Sequence, residues 1–139
     1  MTTILLTTAG SRTQRMLLPH LRSAGRTVRA FGRRLDRQWF AQQGVADLVE
    51  GDLLDRPALE RAMSGVDTVV HVGPPLSGSE YMMGRNVIDA ARTAQVRRFV
   101  FISVIHPQIE YLLNHQAKCR IEDYLISSRL KYTVLQPQH

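Results

Sequence analysis

Apolar positions along this chain recur in two alternating rhythms. Short, nearly continuous apolar runs at residues 4–7, 27–31, 46–50, 68–72, 98–103 and 132–135 have the length and β-branched content of strands. Between them, residues 13–24, 36–43, 56–63, 79–94 and 111–127 place apolar side chains at helical spacing. Asp55 and Ser79 stand where helix caps belong, and Gly25, Gly44 and Gly65 follow three of the helices as expected stops. Six strands alternating with five helices across short connections predict a parallel sheet covered on both faces, with right-handed crossovers. The expected fold is α/β: a doubly wound parallel sheet of the Rossmann type in three layers, strand order 3-2-1-4-5-6. No repeat, low-complexity tract or linker interrupts the pattern, so residues 1–139 read as one domain.

The opening segment TILLTTAGSRTQRMLL, residues 3–18, runs from an apolar strand through a polar turn into an amphipathic helix, the layout of a dinucleotide-binding βαβ unit. Glycines in such a turn allow a sharp bend, close approach of a pyrophosphate, and close packing of helix on strand. Here those three positions fall on Thr8, Ser11 and Gln14, with Gly10 offset. Thr8 and Ser11 are small and bring hydroxyls, whereas Gln14 is expected to push the helix outward or point away from the sheet. The helix N-terminus still offers unpaired amides and a positive dipole end, so Thr8, Gly10, Ser11, Arg12 and Thr13 are the expected phosphate contacts. The plain alternative is a strand-to-helix connection with no ligand. A second feature, VVHVGPPLSG, follows the fourth strand, where the strand order reverses and ligands bind. Pro74 and Pro75 forbid helix there, and they read as a wall of the cleft or as a rigid connection.

The formal charge of +6 changes this picture by its placement: the segment up to Arg37 holds eight arginines against the single acid Asp36. That end attracts anions. A phosphorylated cofactor, a nucleic acid, an acidic partner, or simple decoration of solvated helices would each account for it. Nucleic acid is the weakest of these, since few aromatics interleave with the arginines and no groove-reading motif is present. The one cysteine, Cys119, rules out a disulfide framework within the chain, and no apolar run approaches membrane-spanning length. A cytoplasmic protein without a metal site is expected. Self-association as a homodimer would cover apolar surface left at the last strand.

The segments ILLTTAGSRT, TVRAFGRR, EGDLLDRPALERAMSGVDTVVHVGPP, NVIDAARTAQVRRFVFIS and HQAKCRIEDYLISSRLKYTVLQP, in this order and spacing, resemble the NmrA-like branch of the atypical short-chain dehydrogenase/reductases. The resemblance covers the whole chain. Members of that family are generally longer, and their further C-terminal region supplies much of the substrate pocket. The resemblance implies an NAD(P)-binding domain. At the end of the second strand it places Arg33 and Arg34 beside the adenosine ribose, where arginine suits a 2′-phosphate and an acid would suit a free hydroxyl, so NADP(H) is favoured over NAD(H). It places Asp52 and Leu53 by the adenine, although Asp52 also fits a turn or capping role. Val72, Gly73 and Pro74 would flank the cofactor next, with Gly73 permitting close backbone approach. His71, inside the strand, reads as a packed side chain.

The resemblance puts the reaction end at Ser103, closing the fifth strand, and at Lys118 on the following helix. Short-chain dehydrogenases use a tyrosine four residues before the lysine; here that residue is Asn114, and Tyr111 lies a turn earlier at an unsuitable angle. His115 and Lys118, three apart, share a helix face and form the proton-handling pair nearest the cleft. Lys118 would bond the cofactor ribose or stabilise developing oxygen charge, as in isoflavone-reductase-like proteins, whose Ala-Lys pattern matches Ala117 and Lys118. The plain alternative pairs Lys118 with Glu122 at i+4. Two functions follow from the resemblance: an NADPH-dependent oxidoreductase acting on a quinone, enone or small carbonyl, and a non-catalytic NADP-binding redox sensor or interaction protein.

Overall fold

The computed structural model describes residues 2–74, 77–104 and 113–137, with backbone only for 113 and 114. Pro75, Tyr111 and the side chain of Asn114 therefore lie outside the described residues. The strands are β1 (Thr3–Leu6), β2 (Thr27–Gly32), β3 (Asp47–Glu50), β4 (Val66–His71), β5 (Arg98–Ile102) and β6 (Lys131–Leu135). The helices are α1 (Arg12–Ser23), α2 (Arg37–Gln42), α3 (Arg56–Ala62), α4 (Glu80–Thr93) and α5 (Leu113–Ile126). All strand pairs are parallel, and the sheet order is β3-β2-β1-β4-β5-β6, as the pattern predicts.

Successive strand residues point to opposite faces, and this alternation divides the core in two. Leu5, Phe31, Val69, Phe99 and Phe101 face α3, α4 and α5, meeting Leu59, Val87, Ile88, Ile121 and Leu125. Leu6, Val28, Ala30 and Val70 face the other way, onto Leu18 of α1 and Phe40 of α2. Phe31, Phe99 and Phe101 are completely buried, and burial of a side chain of that size stabilises by about 2–3 kcal/mol. β6 is an edge strand, with Tyr132 and Leu135 exposed.

The helix boundaries follow from local chemistry. Ser11, Asp36 and Asp55 each accept a hydrogen bond from the backbone amide three residues on, closing the first turns of α1, α2 and α3. Gly25, Gly44 and Gly65 adopt φ of 74°, 77° and 76°, the left-handed conformation that ends a helix at no cost only for glycine. Ser79 departs from expectation: it precedes α4 but its side chain caps nothing, because its ψ of 7° is not the extended conformation a capping side chain requires. Ser77 holds this turn instead, its hydroxyl accepting from the Ser79 amide at 3.2 Å.

Candidate functional site

The carboxyl ends of β1, β2, β3 and β4 open on a cavity of about 350 Å³, at the point where the chain order reverses from β1 to β4. Thr8, Gly10, Ser11, Arg33, Arg34, Asp52, Leu53 and Pro74 line it, so residues from four separate turns converge as the sequence predicts. Gly32, Gly51 and Met83 line it too. The two glycines stand inside the quoted motifs; Met83 had no signal, since only the packing of α4 brings it to the wall. Arg12 and Thr13 lie exposed on the first turn of α1, and Val72, Gly73 and Lys118 are outside the lining.

The turn after β1 keeps its shape without its glycines. Thr8 adopts φ of 46°, a conformation uncommon for a β-branched residue, and its hydroxyl donates to the Val72 carbonyl at 2.5 Å, lacing β1 to the turn after β4. Ser11 spends its side chain on the Gln14 amide. Of the two outcomes expected for Gln14, one is overturned: it does not point away from the sheet but is wholly buried, and its Nε2 donates to the carbonyls of Thr7 and Val70, both at 2.9 Å. Its side chain thus fills the gap between helix and strand ends that a glycine would close by contact, below the cavity and outside its lining.

These residues fit a dinucleotide phosphate. Among the described residues the amides of Gly10, Arg12 and Thr13 have no backbone acceptor, a set of donors at a helix N-terminus suited to an anion. A Cβ on Gly10 would come no closer than 3.5 Å to another atom, the Arg34 carbonyl, so the approach to these amides is open. On the opposite wall Arg33 and Arg34 are exposed and enter no ion pair among the described residues, whereas Arg29 and Arg37 are held by Asp47 and Glu50. Asp52 has the turn role, its carboxylate accepting from the Leu54 amide at 2.8 Å.

Behind the Pro74 wall lies a second, buried group. Lys118, only 8 % exposed, donates to the Glu80 carboxylate, which is 1 % exposed. This sets aside the plain alternative of an i+4 pairing: Glu122 instead accepts from the Ser103 hydroxyl at 2.6 Å and from Gln136, bridging the ends of β5, α5 and β6. Ser103 and Lys118 thus each serve a different carboxylate in this structure. His115 is half-buried one turn before Lys118. Glu80, which Lys118 bonds, and His71, on which the Lys118 charge acts, share the buried surroundings of Lys118. The space that the missing side chain of Gly73 leaves is taken by Glu80: a Cβ there would sit 2.9 Å from Glu80 Cγ.

His71 is packed as predicted, 5.7 Å from the Phe101 ring and nearly parallel to it, with Nδ1 2.7 Å from the Thr7 hydroxyl. Burial, and then the neighbouring Lys118 charge, push it down to about 3. The folded state keeps this imidazole neutral while the unfolded chain binds a proton below its ordinary value of 6.5. Its contribution to stability is therefore complete above about pH 6.5 and is lost progressively as pH falls toward 3. Urea unfolding is expected to show a loss of about 2 kcal/mol from this group between pH 6.5 and 5. That part of the slope should vanish in His71→Phe; an unchanged slope would refute it.

Comparison with known proteins agrees with this geometry. Residues 9–139 match the model of a family described as NAD(P)H-binding. The chain is 28% identical over 120 residues to the photosystem II assembly factor Ycf39 of Guillardia theta, covering 81% of this chain and 38% of that protein. It is 29% identical over 99 residues to quinone oxidoreductase 2 of Escherichia coli, covering 71% of this chain and 34% of that one. The structure of the NADPH-dependent quinone oxidoreductase QOR2 of Escherichia coli, complexed with NADPH, superposes with a TM-score of 0.86 at 26% identity, over 96% of this chain and 48% of that one. The chain thus spans less than half the length of each. With the cavity at the sheet's switch point, the free amides of α1 and the match over residues 9–139, the chain belongs to the NAD(P)H-binding family, in the atypical short-chain dehydrogenase/reductase group.

Proposed function

We propose that this domain binds NADPH in preference to NADH and serves an oxidoreductase that reduces a quinone, enone or small carbonyl. The observation that carries the reading is the pairing of two guanidinium groups that enter no ion pair among the described residues, Arg33 and Arg34, with the open amides at the start of α1 across one cavity. That arrangement offers donors for a diphosphate on one wall and for a 2′-phosphate on the other. The nicotinamide, when bound, supplies the hydride. The protein's part is to hold and orient the nucleotide: Gly10, Ser11, Arg12 and Thr13 at the diphosphate, Arg33 and Arg34 at the ribose phosphate, Asp52 and Leu53 at the adenine, Pro74 with the preceding Val72 and Gly73 as the wall. Lys118 places positive charge at the nicotinamide end, with Ser103 and His115 as the further polar groups of that end. Residues 1–139 act as one cofactor domain, and the relatives' additional length is where a substrate region would lie.

Titration of the purified protein into NADPH is expected to enhance and blue-shift the cofactor's fluorescence, and NADPH should be consumed with a quinone, enone or carbonyl acceptor. Lys118→Met should lower that turnover at least about tenfold, the scale of one charge-assisted contact. Absence of any binding heat or fluorescence change at millimolar NADPH would refute the reading.

A second reading, a cofactor-responsive module without turnover, is favoured by one observation: the Ser103 hydroxyl and the Lys118 ammonium each donate to a carboxylate of the protein itself. It predicts NADPH binding with no consumption across the same acceptors. In either case exposed Tyr132 and Leu135 on β6 suit a homodimer in the cytoplasm, which light scattering across a concentration series would detect.

A further inference from the structure

We propose that Glu80 is the positioning residue of Lys118, holding its ammonium directly behind the cofactor wall before any ligand arrives. The inference deepens the assignment of Lys118 to the nicotinamide end and rests on it. Four observations carry it. Glu80 is buried in the first turn of α4, and among the described residues Lys118, on α5, is its hydrogen-bond partner. Its second carboxylate oxygen, Oε1, is buried without a partner among those residues, so the side chain caps no helix and closes no turn. Burying a carboxylate half-satisfied is costly for a fold, and such costs concentrate where side chains serve a site. Gly73 supplies the space: its bare Cα lets the Glu80 side chain lie against the chain immediately before Pro74, which lines the cavity, and Met83, one turn along α4, lines it as well.

The physical logic is that an ammonium removed from water needs an anion, and a flexible four-carbon stem needs a fixed one to point it. With the Glu80 carboxylate in place, Lys118 reaches the cleft wall from one direction only. Without it the ammonium would turn away toward water. Glu80 was invisible in the sequence pattern because it stands 38 residues from Lys118 and resembles a first-turn acid of α4.

The chain has two lysines, Lys118 and Lys131, and Lys131 is exposed on β6 as an internal reference. Brief acetylation of the folded protein with acetic anhydride, read by mass spectrometry, gives the Lys118 to Lys131 labelling ratio with no cofactor present. The ratio is expected to be low in the natural sequence and to rise at least about fivefold in Glu80→Gln. Gly73→Ala, which displaces Glu80 without removing a charge, should raise it likewise. NADPH affinity then tests the functional half through the set Glu80→Gln, Lys118→Met and the double variant, in which no buried charge of the pair remains. If Glu80 acts through Lys118, each single variant weakens NADPH binding about tenfold and the double is no weaker than Lys118→Met alone. Losses that multiply would mean that Glu80 acts on binding independently of Lys118. An unchanged labelling ratio in Glu80→Gln, or multiplying losses, would overturn the proposal. Failure of the natural protein to bind NADPH would instead overturn the cofactor reading, and the labelling ratio would still report on the pair.

Discussion

Gln14→Gly, which restores the third glycine of a dinucleotide fingerprint, is expected to lower the unfolding free energy by about 3 kcal/mol and to leave NADPH binding no tighter. In this chain the Gln14 amide satisfies the Thr7 carbonyl and shares the Val70 carbonyl, both at 2.9 Å, in a site with no access to solvent. Loss of a buried partner costs about 1–3 kcal/mol, a glycine inside a helix about 1 kcal/mol relative to alanine, and the vacated volume adds to both. Nothing offsets these losses at the ligand, because the Gln14 side chain lies outside the cavity lining. Equilibrium urea denaturation together with calorimetric NADPH titration checks both halves. A variant as stable as the natural sequence, or one that binds NADPH markedly better, would show that Gln14 obstructs the site and does not support it.

The double variant Arg33→Ala/Arg34→Ala is expected to raise the NADPH dissociation constant by about 30- to 100-fold while changing that for NADH less than about threefold. Charge-assisted hydrogen bonds to a phosphate contribute about 1.5–3 kcal/mol, and NADH lacks the phosphate they would meet. Thermal stability should be unchanged, since both side chains are exposed and unpaired among the described residues. Calorimetry with the two cofactors on the same protein makes the ratio the readout, so a general loss of fold cannot imitate the result. Equal weakening toward both cofactors would assign the two arginines to the diphosphate and remove the basis for NADPH preference.

The parts of the site that local sequence could specify were legible in it. Arg33 and Arg34 follow a strand that could be placed by its own apolar run, and the turn from Thr8 to Thr13 is contiguous. Asp52 and Leu53 follow β3 in the same way, so their convergence needed only the strand order. What escaped were residues whose role depends on a neighbour far along the chain. Glu80 looks like an ordinary first-turn acid until α5 is packed on α4. Glu122, read as the i+4 partner of Lys118, belongs to Ser103 and Gln136 once β5 and β6 are brought beside α5. Gly73 carries no local sign that Glu80 fills the space beside it.

By itself, the alternation of apolar runs with helical stretches determined the elements, the parallel sheet and its order, because period and connection length are local properties that leave few topologies open. The sequence also marked where an anion is expected, since helix N-termini and arginines carry their charge wherever they are placed. Only the tertiary structure decided which carboxylate each buried donor meets, and whether Gln14 obstructs or supports the first turn. Those outcomes depend on the directions of side chains brought together from 19 to 56 residues apart, and inside a core the choice of partner is set by packing geometry, not by distance along the chain.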